Sequence, residues 1–232
     1  RGSAGVSRGE VNASGRVMRE LNRTEGKSGQ NIRLTIETNL QKFALERLKG
    51  MSGSSVLMEI DSGDILSLVS TPSYNPNNFV LGISQSRWDA LLNDERKPLL
   101  NKATSGAYPP GSTFKMIVAA AALELGLIGL NDKIFCSGFY ELGSRKFHCW
   151  LKGGHGKMSL QEAIQKSCDV YFYELARKVG VKRIGAMAKQ LGLGQSYKLP
   201  LTGISKGFVP TKKWKKERFG TSWLVGDTLN IG

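Results

Sequence analysis

Between Asn31 and Thr38 the apolar residues Ile32, Leu34 and Ile36 alternate with Arg33, Thr35 and Glu37. A period of two sends successive side chains to opposite faces, so residues 31–38 read as a half-buried strand. The period then lengthens. Residues 39–50, NLQKFALERLKG, have an amphipathic helical pattern with Thr38 or Asn39 as cap and Gly50 as stop. SSVLMEID (54–61) and DILSLVS (64–70) flank Ser62-Gly63, a hairpin signal. The order strand, helix, strand, strand predicts an α+β fold, an antiparallel sheet with helices packed on it.

Further along, TPSYNPNNFV (71–80) reads as loop. STFKMIVAAAALELG (112–126) is apolar nearly all round and predicts a buried central helix, entered through Pro109, Pro110 and Gly111. Ser159 to Glu162, SLQE, is a capping box for a helix reaching about Ser167. VYFYELARKVG (170–180) and KRIGAMAKQLG (182–192) read as helices ended by glycine, and residues 192–232 as loop.

Composition narrows the class. Of 232 residues, 40% are hydrophobic and 22% charged, which fits a globular protein with an ordinary core. The longest apolar run, Met116–Leu123, is too short for a membrane span, which needs roughly 18–20 residues. No signal peptide is visible, and RGSAGV at the start resembles a cloning scar, so an anchor could lie upstream. The net charge of +14 suits an anionic partner such as an acidic surface or a carboxylate-rich polymer. No nucleic-acid-binding motif accompanies it, and the densest basic cluster, TKKWKKERFG (211–220), is local, so no nucleic-acid partner is expected.

Ser112 and Lys115 form the only Ser-x-x-Lys of the chain. On a helix, positions i and i+3 share a face, so hydroxyl and amine can meet. Burial favours the neutral amine, which can act as a base toward the serine. On spacing alone a capping serine and a snorkelling lysine fit equally well. The Tyr-Pro-Pro-Gly entry (108–111) and the apolar helix favour chemistry. Ser167-Cys168-Asp169 supplies a second serine and a carboxylate. The same spacing recurs at Ser62-Gly63-Asp64 and Ser73-Tyr74-Asn75, but in turn and loop contexts where such residues are common.

The three cysteines, Cys136, Cys149 and Cys168, and both histidines fall in one window. Cys136, Cys149, His155 and Cys168 make a Cys3His set suited to a structural zinc ion closed to water. His155 is preferred to His148, which is adjacent to Cys149 and so cannot readily aim at the same ion. A disulfide between two of the three, or three plain core thiols, are the alternatives. If zinc binds, the metal grips Cys168 behind Ser167 and Asp169 and pins both.

Ser-x-x-Lys followed by Ser-x-Asp resembles the penicillin-recognising serine enzymes. Longer stretches are similar to the class B penicillin-binding proteins of the elongation type, the penicillin-binding protein 2 group. They are LVSTPSYNPNNFVLGIS (68–84), LLNDERKPLLNKATSGAYPPGSTFK (91–115), WLKGGHGKMSLQEAIQKSCDVYFYELARKVG (150–180) and PTKKWKKERFGTSWLVGDTLNIG (210–232).

The resemblance implies a penicillin-binding/β-lactamase-like transpeptidase domain. Ser112 would attack the D-alanyl-D-alanine carbonyl of a peptidoglycan stem peptide, and Lys115 would accept its proton. Ser167 would relay protons, with Asp169 standing where many relatives have asparagine. β-Lactams would trap Ser112. The family's third motif, Lys-Thr/Ser-Gly, has no match after Asp169, and Lys27-Ser28-Gly29 lies too early. The domain is therefore expected to be C-terminally incomplete, and possession of activity by the fragment is open. Residues 1–30 would be scar plus a remnant of an N-terminal pedestal, and 31–232 the transpeptidase domain. Implied partners are an elongation-type membrane glycosyltransferase and a periplasmic scaffold, at the periplasmic face of the inner membrane. The alternatives are a serine β-lactamase or β-lactam sensor, and a non-catalytic zinc-stabilised fragment.

Overall fold

A computed structural model describes residues 2–197 and 199–231. The chain divides into two compact units, Arg1–Asn77 and Asn78–Gly232.

In the first unit, β1 (Val6–Val11) and β2 (Val17–Thr24) form an antiparallel hairpin whose residues are all exposed. The predicted helix is α1, Thr38–Arg47, and the predicted hairpin is β3 (Gly53–Met58) with β4 (Ile65–Thr71). Gly63 takes φ 76° in its turn, a backbone state that L side chains disfavour. α1 packs on β4, and Gln41 fastens it: its amide bonds the backbone N–H and C=O of Leu68, both at 2.8 Å.

The strand expected at residues 31–38 does not form. Among the described residues, this segment is tied to β4 by bonds from the Thr35 hydroxyl to Ile65 O (2.7 Å) and from Glu37 N to Leu66 O (2.9 Å). One of them uses a side chain rather than the ladder. Ile32 and Leu34 are 84% and 70% exposed, so the alternation has no face to bury.

A 3-10 turn, Pro76–Phe79, runs across the unit boundary, and α2 (Gln85–Asn93) follows in the second unit. A second 3-10 turn, Gly111–Phe114, leads directly into α3 (Lys115–Glu124). Ile117, Val118, Ala119, Ala121 and Ala122 of α3 are buried, as the all-round apolar pattern requires. α3 packs against α5 (Asp169–Val179) and α6 (Val181–Gln190), and α5 against α8 (Val225–Ile231). Tyr171, Phe172, Leu175 and Ile184 fill the core between them.

Two small ladders flank this core. β5 (Ile134–Cys136) pairs with β8 (Gly156–Met158), and β6 (Phe139–Leu142) with β7 (Arg145–His148). α4 (Leu160–Gln165) follows β8 and begins with the predicted capping box: Ser159 Oγ accepts from Glu162 N while Glu162 Oε2 accepts from Ser159 N. The α+β class holds, with the strands arranged as four two-stranded antiparallel ladders among the described residues.

The expectation of loop over 192–232 is overturned by α7 (Lys212–Phe219) and α8. α7 is half lysine and buries no residue, so it has no apolar stripe to read. Its cap is Thr211, whose hydroxyl accepts from Trp214 N. An ion pair from Lys215 to Asp227 joins α7 to α8. No helix among the described residues is long and apolar enough to cross a membrane.

Candidate active site and metal-binding cluster

The candidate nucleophile is carried by a forced turn. Gly111 takes φ 57° directly before Ser112, and the Thr113 hydroxyl bonds back to Pro110 O at 2.9 Å. Ser112 is exposed on the 3-10 turn, and Lys115 opens α3 one turn later and is buried. The sequence predicts that these two side chains touch. Among the described residues no hydrogen bond joins them. The Lys115 nitrogen instead donates to Ser167 O (2.9 Å) and Asp169 Oδ1 (2.6 Å) and lies 3.1 Å from Ser167 Oγ. It also sits 5.8 Å from the centre of the Phe172 ring. Lys115 therefore links the first serine's helix to the second motif, 52–54 residues away.

Ser167 owes its position to the end of α4. Ser167 N bonds Ile164 O (3.1 Å) and Cys168 N bonds Ala163 O (2.9 Å). This double closure is the Schellman motif, in which the residue after the cap is left-handed and usually glycine. Here that residue is Ser167, at φ 50°. A left-handed serine costs about 1–2 kcal/mol. Such strain persists only where the surroundings over-determine it, and it concentrates at functional sites. Lys115 Nζ grips the carbonyl and hydroxyl of this same residue.

Asp169 is the first residue of α5, where a carboxylate also complements the helix dipole. Its two oxygens are divided. Oδ1 takes Lys115, in an ion pair whose side chains are 10% and 24% exposed, and Oδ2 takes the backbone N–H of Trp150 at 2.9 Å. The Trp150 indole N–H donates to Lys166 O at 3.0 Å, satisfying a carbonyl that the end of α4 leaves free. Nothing in the spacing of the sequence pointed to Trp150.

Behind Ser167 lies the second cluster. One ligand atom each of Cys136, Cys149, His155 and Cys168 lies within 4.8 Å of all the others. His155 Nδ1 is 3.7 Å from Cys136 Sγ and 3.5 Å from Cys149 Sγ. A tetrahedral ion with bonds of about 2.3 Å to sulfur and 2.0–2.1 Å to nitrogen needs edges of roughly 3.5–3.8 Å, so these side chains fit one. All three cysteines are free and buried, so none of them is paired. Burial, with Cys136 and Cys149 beside it, pushes the Cys168 thiol up to about 12. His148 is exposed on β7 and stays out of the cluster.

The loop carrying His155 folds back against Cys136 so closely that glycine is required. A Cβ on Gly154 would stand 2.3 Å from Cys136 O, and one on Gly138 2.2 Å from Lys152 O, both at positive φ. The cluster meets the first site twice in sequence. Cys149 precedes Trp150, and Cys168 sits between Ser167 and Asp169.

The family described as "Penicillin binding protein transpeptidase domain" matches residues 53–232. The chain belongs to that family. It is 40% identical to the peptidoglycan D,D-transpeptidase MrdA of Escherichia coli K12, over its whole length and 37% of the relative's. The MrdA of Haemophilus influenzae is 38% identical, again over the whole chain and 36% of the relative. The chain thus spans a little over a third of these curated relatives.

Among solved structures, Pseudomonas aeruginosa PBP2 in complex with WCK 5153 superposes with TM-score 0.84 and 38% identity, covering 90% of this chain and 46% of that one. Helicobacter pylori PBP2 in its complex with MreC gives TM-score 0.84 and 36% identity, covering 98% and 43%. The transpeptidase-family fold expected from the motifs is therefore the fold found.

Proposed function

We propose that this chain is the serine-bearing part of an elongation-type peptidoglycan D,D-transpeptidase, acylated at Ser112 by stem peptides ending in D-alanyl-D-alanine. The observation that carries the reading is Lys115. It stands one turn from Ser112 and has its nitrogen on Ser167 and Asp169.

The three contacts of that nitrogen suit a proton carrier. Ser167 O and Asp169 Oδ1 only accept, whereas the Ser167 hydroxyl can accept or donate. A charged ammonium donates to all three. A neutral amine donates to the first two and offers its lone pair to a hydroxyl. Both protonation states are thus satisfied without rearrangement. As Ser112 Oγ bonds to the carbonyl carbon, its proton passes to the Lys115 amine, and the Asp169 carboxylate stabilises the ammonium formed. The Ser167 hydroxyl then gives a proton to the departing D-alanine nitrogen as the C–N bond breaks, and recovers one from Lys115. An amine of a neighbouring stem peptide takes the acyl group by the reverse sequence, which closes the cross-link. β-Lactams acylate Ser112 and are released slowly.

A zinc ion held by Cys136, Cys149, His155 and Cys168 belongs to this reading as a structural tie. Bound, it would supply positive charge to the three thiolates. The residues themselves hold the loop 149–150 and the turn 167–169 in register. By analogy with the MreC complex of the H. pylori relative and a relative solved in a peptidoglycan synthase complex, the partners would be a periplasmic scaffold and an elongation-type membrane glycosyltransferase. The setting would be the periplasmic face of the inner membrane. The net charge of +14 suits a carboxylate-bearing polymer as substrate.

The test is labelling of the intact protein with a fluorescent penicillin. One label per chain is expected, lost in Ser112→Ala and slowed by roughly 10²–10⁴ in Lys115→Ala. An unlabelled wild type would overturn the reading, and rapid hydrolysis of the label would replace it with a β-lactamase. Zinc analysis beside a thiol count tests the cluster. About one zinc per chain is expected, with thiols that react only after chelation. Absence of zinc with three reactive thiols would remove the metal and leave plain buried cysteines.

A further inference from the structure

The three thiols stand close enough to react with one another. Their sulfurs lie within 4.8 Å of each other, on three separate pieces of backbone: Cys136 ends β5, Cys149 follows β7, and Cys168 precedes α5. A disulfide needs its sulfurs at about 2.05 Å. Closing any pair therefore asks for a movement of less than about 3 Å. Cys136 is the thiol within hydrogen-bonding range of Cys168. α5 packs on β5, so the backbones that carry these two are already neighbours.

The thiols are buried, but their cover is slight. The glycine-rich loop 150–156 seats His155 against Cys136 and Cys149, and residues 150–153 of that loop are exposed. The other ring nitrogen of His155, Nε2, is buried and has no hydrogen-bond partner. A buried polar atom without a partner costs free energy that water would return. Opening of the loop gives Nε2 that water and gives a small oxidant a path to sulfur.

A bond made at Cys168 pulls on the middle of the second serine motif. Cys168 lies between Ser167 and Asp169 and is wholly buried. Ser167 Oγ stands 3.1 Å from Lys115 Nζ. Hydrogen bonds fail beyond about 3.5 Å, so a shift of roughly half an ångström away from the lysine loses this contact.

We propose that Cys136 and Cys168 form a reversible disulfide that switches off acyl transfer at Ser112. Its consequence rests on the acyl-transfer reading given above. Hydrogen peroxide serves as oxidant. One cysteine sulfur attacks a peroxide oxygen, the O–O bond breaks, and the departing hydroxide leaves as water with the thiol proton. That sulfur is now a sulfenic acid. The second sulfur attacks it, the S–S bond forms, the S–O bond breaks, and a second water carries away the second thiol proton. Two electrons pass from the sulfur pair to one peroxide, which ends as two waters. A metal ion held by the four residues would occupy the sulfurs and protect them.

The experiment treats the intact protein with hydrogen peroxide, as purified and after chelation, and then with dithiothreitol. Three readouts are taken: free thiols, a mass map of the bridged peptides, and the rate of labelling by fluorescent penicillin. Free thiols should fall from three to one, with Cys136 and Cys168 in one bridged peptide. Labelling should slow by roughly tenfold or more, the low end for displacing a positioned proton carrier. Dithiothreitol should restore both, which separates the bridge from methionine oxidation. In Cys136→Ser the oxidised and reduced samples should label within about twofold of each other, since without the bridge no proton carrier is displaced. If that variant does not fold, the wild-type mass map and its reversal decide.

Three free thiols after peroxide in both samples would overturn the proposal. So would a bridge that excludes Cys168, or a Cys136–Cys168 bridge that leaves labelling unchanged. A reduced wild type that never labels would overturn the acyl-transfer reading, and with it the switch, even where the mass map shows the bridge.

Discussion

Ser167 occupies a backbone position that favours glycine, and that has a measurable signature. Replacing it with alanine or with glycine removes the same hydroxyl, the one 3.1 Å from Lys115 Nζ. The two variants differ only in whether a Cβ must be accommodated at φ 50°. A left-handed L residue costs about 1–2 kcal/mol. Glycine gives back roughly 0.5–1 kcal/mol through the greater freedom of its unfolded chain. Ser167→Gly should therefore be more stable than Ser167→Ala by about 0.5–1 kcal/mol. In a domain of this size that is a Tm difference of about 1–4 °C. The sign is the diagnostic part, since in an ordinary helical position alanine is the more stable of the two. Paired thermal melts read by circular dichroism would measure it, with penicillin acylation as a second readout. Both variants should acylate slowly and alike. An alanine variant as stable as the glycine one would refute the strain argument. A glycine variant that acylates at the wild-type rate would refute the relay role of the hydroxyl.

Two further predictions use comparisons built into the chain. Gly154→Ala sets a Cβ 2.3 Å from Cys136 O at φ 75°, whereas a Cβ on the neighbouring Gly153 meets nothing within 4 Å. Gly154→Ala should cost about 2–4 kcal/mol, from overpacking together with left-handed strain, and Gly153→Ala under about 0.5 kcal/mol. Equal Tm values for the two would mean the loop does not fold back on Cys136. The Glu162 carboxyl is held below its ordinary range by the Ser159 N–H and hydroxyl. A depressed carboxylate contributes stability above its unfolded pKa, about 4.3, and loses it as pH falls through the lower folded value. The stability gap between wild type and Glu162→Ala should be open near neutrality and close on acidification. A gap constant with pH would assign it to packing of α4 instead.

What could be read from the sequence was local chemistry with a fixed spacing. The hairpin around Gly63, the Ser159–Glu162 box, the Ser112/Lys115 turn and the Cys3His set each depend on a few residues near one another or on rare residue types. The failures have physical causes. The alternation at Ile32, Leu34 and Ile36 marks a strand only where a face is buried, and here two of the three stay in water. The ladders β5–β8 and β6–β7 comprise strands of three or four residues, too short to establish a period. α7 has no apolar stripe because six of its eight residues are charged, so only its Thr211 cap signalled a helix. The Lys115–Ser167–Asp169 contact lay beyond any spacing rule. Motif knowledge joined the two serines, but the choice of Ser167 O and Asp169 as the lysine's partners belongs to the tertiary structure.

The separation of 52–54 residues between Lys115 and its partners also fixes an order of events. A chain emerging N-terminus first, at about 5–20 residues per second, displays the Ser112 turn roughly 3–10 s before Asp169 exists to meet it. The turn and α3 can form within microseconds. During that interval the serine is present, but its lysine has neither the carboxylate nor the second hydroxyl. The lysine's carboxylate and hydroxyl partners reach it only when α4 and α5 pack with α3.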